Sequence, residues 1–251
     1  MTVDLRLGRW QDVLADVECD ALITDPPYSE RTHVAHGRDA AAAAAAAAKM
    51  PDPKKAPTPV PYACWSDDEM EAFLCSWHPR VRGWISVITD HGLSRTVERV
   101  LQGAGRYVFA PIPIVEVGSR IRLAGDGPSS WTCWLIVARP KTRDFQRWGT
   151  LPGAYIGSGR GDREHIGGKD SGIMRAIVRD YSRPGDLVCD PCAGAATTLL
   201  AAAMEGRRAV GCEMDSETFA KAQKRISRGY TSTLFDADRP MVQRSLLGSD
   251  E

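Results

Sequence analysis

Apolar and polar positions alternate in short runs, and helix-length amphipathic stretches separate those runs. Val3-Asp-Leu-Arg-Leu7 has period two and predicts a strand ending at Gly8. A short helix over 10–15 leads to Ala21-Leu22-Ile23-Thr24, a mostly apolar run that reads as a buried strand. Ser66-Asp-Asp-Glu69 has the spacing of a capping box. Behind it Met70, Phe73, Leu74 and Trp77 recur at i, i+3, i+4 and i+7, one apolar helix face. The pattern then predicts a strand over 84–89 and a helix over 93–101 with Leu93, Val97, Val100 and Leu101 on one side. Two further strands are predicted over 107–110 and 131–138.

The last third is the most regular. Met174, Ile177, Val178 and Tyr181 form a helix face that stops before Pro184-Gly185. Residues 186–190 predict a strand, 191–198 a loop of small residues opening an apolar helix, and 209–213 a strand with an acidic last residue, Glu213. Asp215-Ser216 cap a helix carrying Phe219, Ala222 and Ile226. Strands alternating with helices imply an α/β fold, a doubly wound and mostly parallel sheet covered on both faces.

Between these elements lie stretches without periodicity. Residues 29–63 hold nine alanines at 40–48 and a proline-rich run, and read as a long mobile insertion beside the Thr24 strand, where a loop of this length is often a lid or binding loop. Residues 111–130 are rich in Gly and Pro. Residues 141–168 are basic and Gly-rich and read as a connector outside the folding core. The expected organisation is therefore one domain over 1–230, with the insertion at 29–63, the connector at 141–168 and a polar tail at 231–251.

Composition adds bounds. Formal net charge is zero, which argues against a nonspecific polyelectrolyte binder, yet residues 1–30 carry seven acids against two bases. From Arg139 to Arg183 there are ten Lys and Arg against five Asp and Glu, a stretch that suits either a phosphate-facing surface or a solvated face. No apolar run is long enough to span a membrane, the amino terminus has no signal-like segment, and the seven scattered cysteines fit a reducing compartment. A cytoplasmic location is expected. Cys189-Asp-Pro-Cys192 has no second pair to complete a zinc site, the five histidines show no ligand pattern, and no metal is expected.

Two constellations carry candidate chemistry. Asp25-Pro26-Pro27-Tyr28 follows the Ala21 run, and its prolines force the strand to stop and leave a stiff loop at its carboxyl end. Open α/β sheets bind ligands there. Taken alone, the same four residues also describe a proline turn with a stacked tyrosine. The second constellation is strand, small-residue loop, helix, strand and acid from Asp190 to Glu213, the layout of a nucleoside-binding βαβ unit. Only Gly194 stands where a dinucleotide fingerprint needs three glycines, so a diphosphate is disfavoured and a nicotinamide enzyme is a distant reading. An ordinary βαβ turn would show the same outline.

Together the two resemble the DNA amino-methyltransferases that use S-adenosylmethionine, in the permuted β order, with the Asp-Pro-Pro-Tyr loop preceding the cofactor loop. The resemblance is carried by His165 and Lys169, by Ser182-Arg-Pro-Gly-Asp-Leu-Val-Cys-Asp-Pro-Cys-Ala-Gly194, by Thr197-Thr198, by Gly206-Arg207 and by Gly211-Cys-Glu-Met-Asp215. This chain departs from the family pattern at Cys192, where Phe is usual, at Gly194-Ala-Ala196 in place of Gly-Ser-Gly, and at Gly8-Arg9 in place of Gly-Asp. The resemblance implies a seven-stranded Rossmann-like class I sheet. It also implies that the helix at Phe219 adjoins the strand at Val3.

As to roles, the resemblance implies that Asp25 and the Pro26 carbonyl accept hydrogen bonds from an exocyclic amino group. Pro27 stiffens the loop, and Tyr28 stacks on a base flipped from duplex DNA. Lys169, Asp190, Cys192, Ala193, Gly194, Thr197, Thr198 and Glu213 would hold S-adenosylmethionine, with Glu213 on the ribose. Asp at the head of the loop favours adenine N6 over cytosine N4. Cytosine-N4 or RNA amino methylation, and a DNA-binding homologue that has lost catalysis, remain as alternatives. Arg143, Arg147, Arg160 and Arg163 in the connector, the candidate target-recognition segment, are candidates for DNA contact with the 29–63 insertion as a second source, and the resemblance makes a homodimer an expectation.

Overall fold

A computed structural model describes residues 3–35, 64–117, 132–158 and 169–228. Within them nine strands form one sheet: β1 Val3–Leu7, β2 Ala21–Thr24, β3 Ile85–Thr89, β4 Tyr107–Val108, β5 Ile112–Val117, β6 Thr132–Arg139, β7 Tyr155–Ser158, β8 Leu187–Asp190 and β9 Arg208–Glu213. Their order is β1-β9-β8-β2-β3-β6-β5-β7, with β4 pairing β6. The first five strands in that order are mutually parallel. β6 runs antiparallel to β3, β4 and β5, and β7 returns parallel to β5.

The helices are α1 Trp10–Val13, α2 Glu30–Ala35, α3 Asp67–Trp77, α4 His91–Gly103, α5 Arg143–Gln146, α6 Ser171–Tyr181, α7 Thr197–Met204 and α8 Ser216–Arg228. Alternation along the buried strands sorts them onto two faces. Leu22, Ile85 and Val87 pack with Met70, Phe73, Leu74, Leu93 and Val97 of α3 and α4. Ala21, Ile23 and Ile88 point the other way, to Ile173, Ile177 and Tyr181 of α6, Leu199 of α7 and Ala222 of α8. The capping box at α3 is formed as its spacing predicts: Ser66 accepts the Glu69 amide, and the Glu69 carboxylate accepts the Ser66 amide at 2.8 Å. α8 packs against β1 and β9, and β1 lies at the sheet edge, so the last described helix adjoins the first strand as permutation requires.

Three sequence expectations need correction. The sheet has nine described strands, not seven, because β5 and β7 lie in stretches read as irregular. β5 carries Pro113, a residue that argues against an interior strand. Its register with β7 begins only at Ile114, so the missing N–H at Pro113 breaks no rung with that strand. β7 lies inside the connector, and its burial comes from partners distant in sequence. Tyr155 is buried and donates its hydroxyl to Asp180 at 2.6 Å, while a Cβ at Gly157 would come within 2.7 Å of Ile173 Cδ1. Finally, the insertion is helical at its start, where α2 follows the Tyr28 loop; residues 36–63 lie outside the described residues.

Candidate active site

Five adjacent parallel strands end along one edge of the sheet, and four of them finish on a carboxylate. β9 ends at Glu213, β8 at Asp190, β2 is followed by Asp25 and β3 by Asp90. This is where an open α/β sheet binds ligands.

Asp25 leaves β2 with its two oxygens in different environments. Oδ2 accepts a bond from Lys169 Nζ at 2.6 Å, a pair in which the side chains are 12% and 22% exposed for Lys169 and Asp25. Oδ1 is buried and has no hydrogen-bond partner. Burial opposes the Lys169 charge, but the adjacent Asp25 carboxylate outweighs it and raises the ammonium pKa, so the pair is ionic. The same ammonium lies 5.0 Å from the centre of the Tyr28 ring. The Tyr28 hydroxyl is buried beside Asp25 and Cys133, and burial together with the Asp25 charge holds its pKa well above the usual phenol value. Pro26 is buried and Pro27 partly so, as expected of a stiff turn under a packed loop.

Asp190 is built into the wall between the two constellations. Its Oδ1 accepts the Thr24 hydroxyl at 2.7 Å and the Cys192 amide at 3.1 Å, and Thr198 lies against the same carboxyl. Burial nonetheless dominates and pushes the carboxyl up to about 6. The group shapes the 191–196 loop from inside. Gly211 is what lets β9 run this close, since a Cβ there would sit 2.5 Å from the Asp190 carbonyl oxygen.

The loop itself is almost bare of side chains. Gly194 has φ +50° with open space where a Cβ would be, and Ala196 takes the left-handed conformation at φ 63°, which costs an alanine about 1 kcal/mol. No side chain caps α7, so its first amides face the loop as donors. Bare backbone, open amides and an acid one strand away suit a ligand with a carboxylate at one end and a ribose at the other. Thr197 is engaged elsewhere: Arg225 donates to its hydroxyl at 2.8 Å and to the Ala195 carbonyl at 2.9 Å. Glu213 accepts the Asp215 amide at 2.8 Å, and its side chain is partly exposed at the strand end. Cys192 is partly buried and Ala193 buried beneath the loop.

The structure thus brings together Asp25, Pro26, Pro27, Tyr28, Lys169, Asp190, Cys192, Ala193, Gly194, Thr198 and Glu213 along one edge. Lys169, read from sequence as a cofactor contact, is bonded to Asp25. Arg143 and Arg147 are placed at the other end of the sheet. They flank Phe145, which packs with Trp148 against Trp84, and Trp84 immediately precedes the amino end of β3, whose carboxyl end leads to Asp90. Arg160, Arg163 and His165 lie outside the described residues. Two participants were not anticipated. Cys133 of β6 borders Tyr28 and Lys169, a placement with no local signal. Asp90 binds the segment after Tyr28, and only its N-cap spacing ahead of Leu93 was readable.

Comparison with known proteins follows the same outline. The family model for DNA methylases of the N6/N4 type matches residues 129–224. The DNA adenine methyltransferase YhdJ of Escherichia coli (strain K12) is 36% identical over 58 residues, 23% of this chain and 20% of that protein. The chain spans less than half the length of the curated relatives it matches. Among solved structures, the M1.HpyAVI–SAM complex aligns over 90% of this chain and 99% of its own, with a TM-score of 0.63 and 19% identity. The PvuII DNA methyltransferase, which is cytosine-N4-specific, aligns over 89% and 86% with a TM-score of 0.59 and 14% identity. These structural likenesses establish the fold.

Proposed function

We propose that this chain, whose residues 129–224 match the family model for N6/N4 DNA methylases, transfers a methyl group from S-adenosylmethionine to the N6 amino group of adenine in duplex DNA. The observation that carries the reading is the unpartnered Asp25 Oδ1, a buried acceptor beside the small-residue loop. A buried acceptor without a donor is costly unless a ligand supplies one. An exocyclic amino group does so.

When bound, the cofactor supplies a methyl group on a positively charged sulfur. The chain's own residues supply placement. Asp25 Oδ1 and the Pro26 carbonyl accept the two amino hydrogens and draw the nitrogen out of conjugation, so that its lone pair points at the methyl group. Bound there, the cofactor would supply the methyl electrophile and keep the departing electron pair on its sulfur, and Asp25 would receive the extra proton from the amino nitrogen. Lys169 holds Oδ2 and thereby fixes the carboxylate that must aim Oδ1. Lys169 also lies over the Tyr28 ring, and a base stacked on that ring completes the pocket. The open amides of α7 and the 191–196 backbone would hold the amino-acid part of the cofactor, and Glu213 would hold its ribose hydroxyls.

Adenine is preferred because aspartate leads the loop and because YhdJ, the relative that aligns at 36% identity, is named for adenine. Labelled-methyl transfer to duplex DNA followed by nucleoside analysis tests the reading. Label in N6-methyladenine supports it. Label in N4-methylcytosine or only in RNA would move the substrate assignment, and DNA binding without transfer would favour a non-catalytic homologue.

A further inference from the structure

Asp90 stands at the head of α4 with 7% exposure and divides its two oxygens between different elements. Oδ1 accepts the Leu93 amide at 3.1 Å, the usual N-cap bond. Oδ2 accepts three donors from the segment after the Tyr28 loop: Ser29 N at 3.0 Å, Ser29 Oγ at 2.5 Å, and Thr32 Oγ1. An N-cap needs one acceptor, so the second oxygen serves something other than α4. Gly92 fits the same purpose, because a Cβ there would lie 2.5 Å from Ser29 Oγ and would push the two segments apart. From the opposite side Trp65 N donates to the Tyr28 carbonyl at 3.0 Å. The loop is therefore fixed upstream by β2 and downstream by Asp90. Burial acts against the Asp90 charge, but the hydrogen bonds from Ser29, Thr32 and Leu93 together outweigh it and hold the carboxyl below its ordinary range.

We propose that Asp90 is a positioning residue for methyl transfer: by latching Ser29 and Thr32 to the head of α4 it sets Tyr28 and Asp25 against the target amino group. The inference rests on the methyl-transfer reading. Asp90 touches neither substrate nor cofactor in this role; it acts through the loop. A shift of about 1 Å at reacting groups is enough to lower a rate by about a hundredfold, so a latch of this kind is felt in turnover.

The test uses the full chain with Asp90→Ser. Serine remains a good N-cap for α4 but is too short to hold Ser29 and Thr32 as well. A second variant, Ser29→Ala with Thr32→Val, leaves Asp90 and its cap in place and removes the side-chain donors. Both are examined by amide hydrogen exchange over residues 22–35, by calorimetry with S-adenosylmethionine, and by labelled-methyl turnover. Exchange in 22–35 about tenfold faster or more, kcat about 30- to 100-fold lower and cofactor Kd within about twofold support the latch. Unchanged exchange overturns it whatever the activity. Faster exchange with unchanged kcat overturns the positioning role. If the parent protein transfers no methyl group, the methyl-transfer reading fails on its own and takes the positioning role with it, while exchange still decides whether Asp90 holds the segment.

Discussion

Thr24 donates its hydroxyl to Asp190 at 2.7 Å, joining residues 166 positions apart in the chain. Each stands at the end of its strand, β2 or β8, and these strands are paired in parallel. The bond welds the Asp25 loop to the small-residue loop. Thr24→Val keeps the shape and deletes the donor. We expect a loss of about 1–2 kcal/mol of stability, measured by denaturant unfolding, together with weaker cofactor binding. An unchanged midpoint would show that the weld contributes nothing.

The buried Asp190 carboxyl also sets a pH dependence. Its folded pKa, about 6, lies above the ordinary aspartate value, so the folded state binds the proton more tightly than the unfolded chain. Its favourable contribution is complete below about pH 4 and is lost as pH rises through about 6, a swing on the order of 3 kcal/mol. Asp190→Asn has no charge to bury. The stability of the parent relative to this variant is expected to fall between pH 4 and 7, and a difference independent of pH would refute the assignment.

Lys169→Met removes the cation that holds Asp25 Oδ2 while keeping most of the side-chain volume. An effect through Asp25 lowers kcat by about 10- to 100-fold with cofactor affinity little changed. Should calorimetry instead show cofactor affinity falling as steeply as kcat, direct contact with the cofactor would be its main role.

Gly211→Ala would put a Cβ 2.5 Å from the Asp190 carbonyl oxygen and 3.1 Å from Leu199. Backbone cannot yield as a flexible side chain can, so a loss of about 1–3 kcal/mol is expected. A thermal midpoint equal to that of the parent protein would contradict the close approach of β8 and β9.

The central strands and both candidate loops were legible because their signals are local. The Ala21 run stops at two prolines, and the helix faces repeat at fixed spacing. β7 was not legible, since Tyr155 owes its burial to Asp180 and to packing on α6, which no window around residue 155 contains. Nor was the partner of Lys169, an ion pair across 144 positions. Asp90 lies between these cases. Its cap of α4 could be read from the spacing to Leu93, whereas the donors on its other oxygen come from a loop more than 55 positions earlier.

The proposed chemistry turns on Asp25. With labelled S-adenosylmethionine and duplex DNA, the parent protein should place label in N6-methyladenine, while Asp25→Ala should lose at least about a hundredfold in kcat and still bind the cofactor. Equal incorporation by Asp25→Ala would contradict the proposed catalytic role of the loop, and label found in N4-methylcytosine would contradict the proposed base.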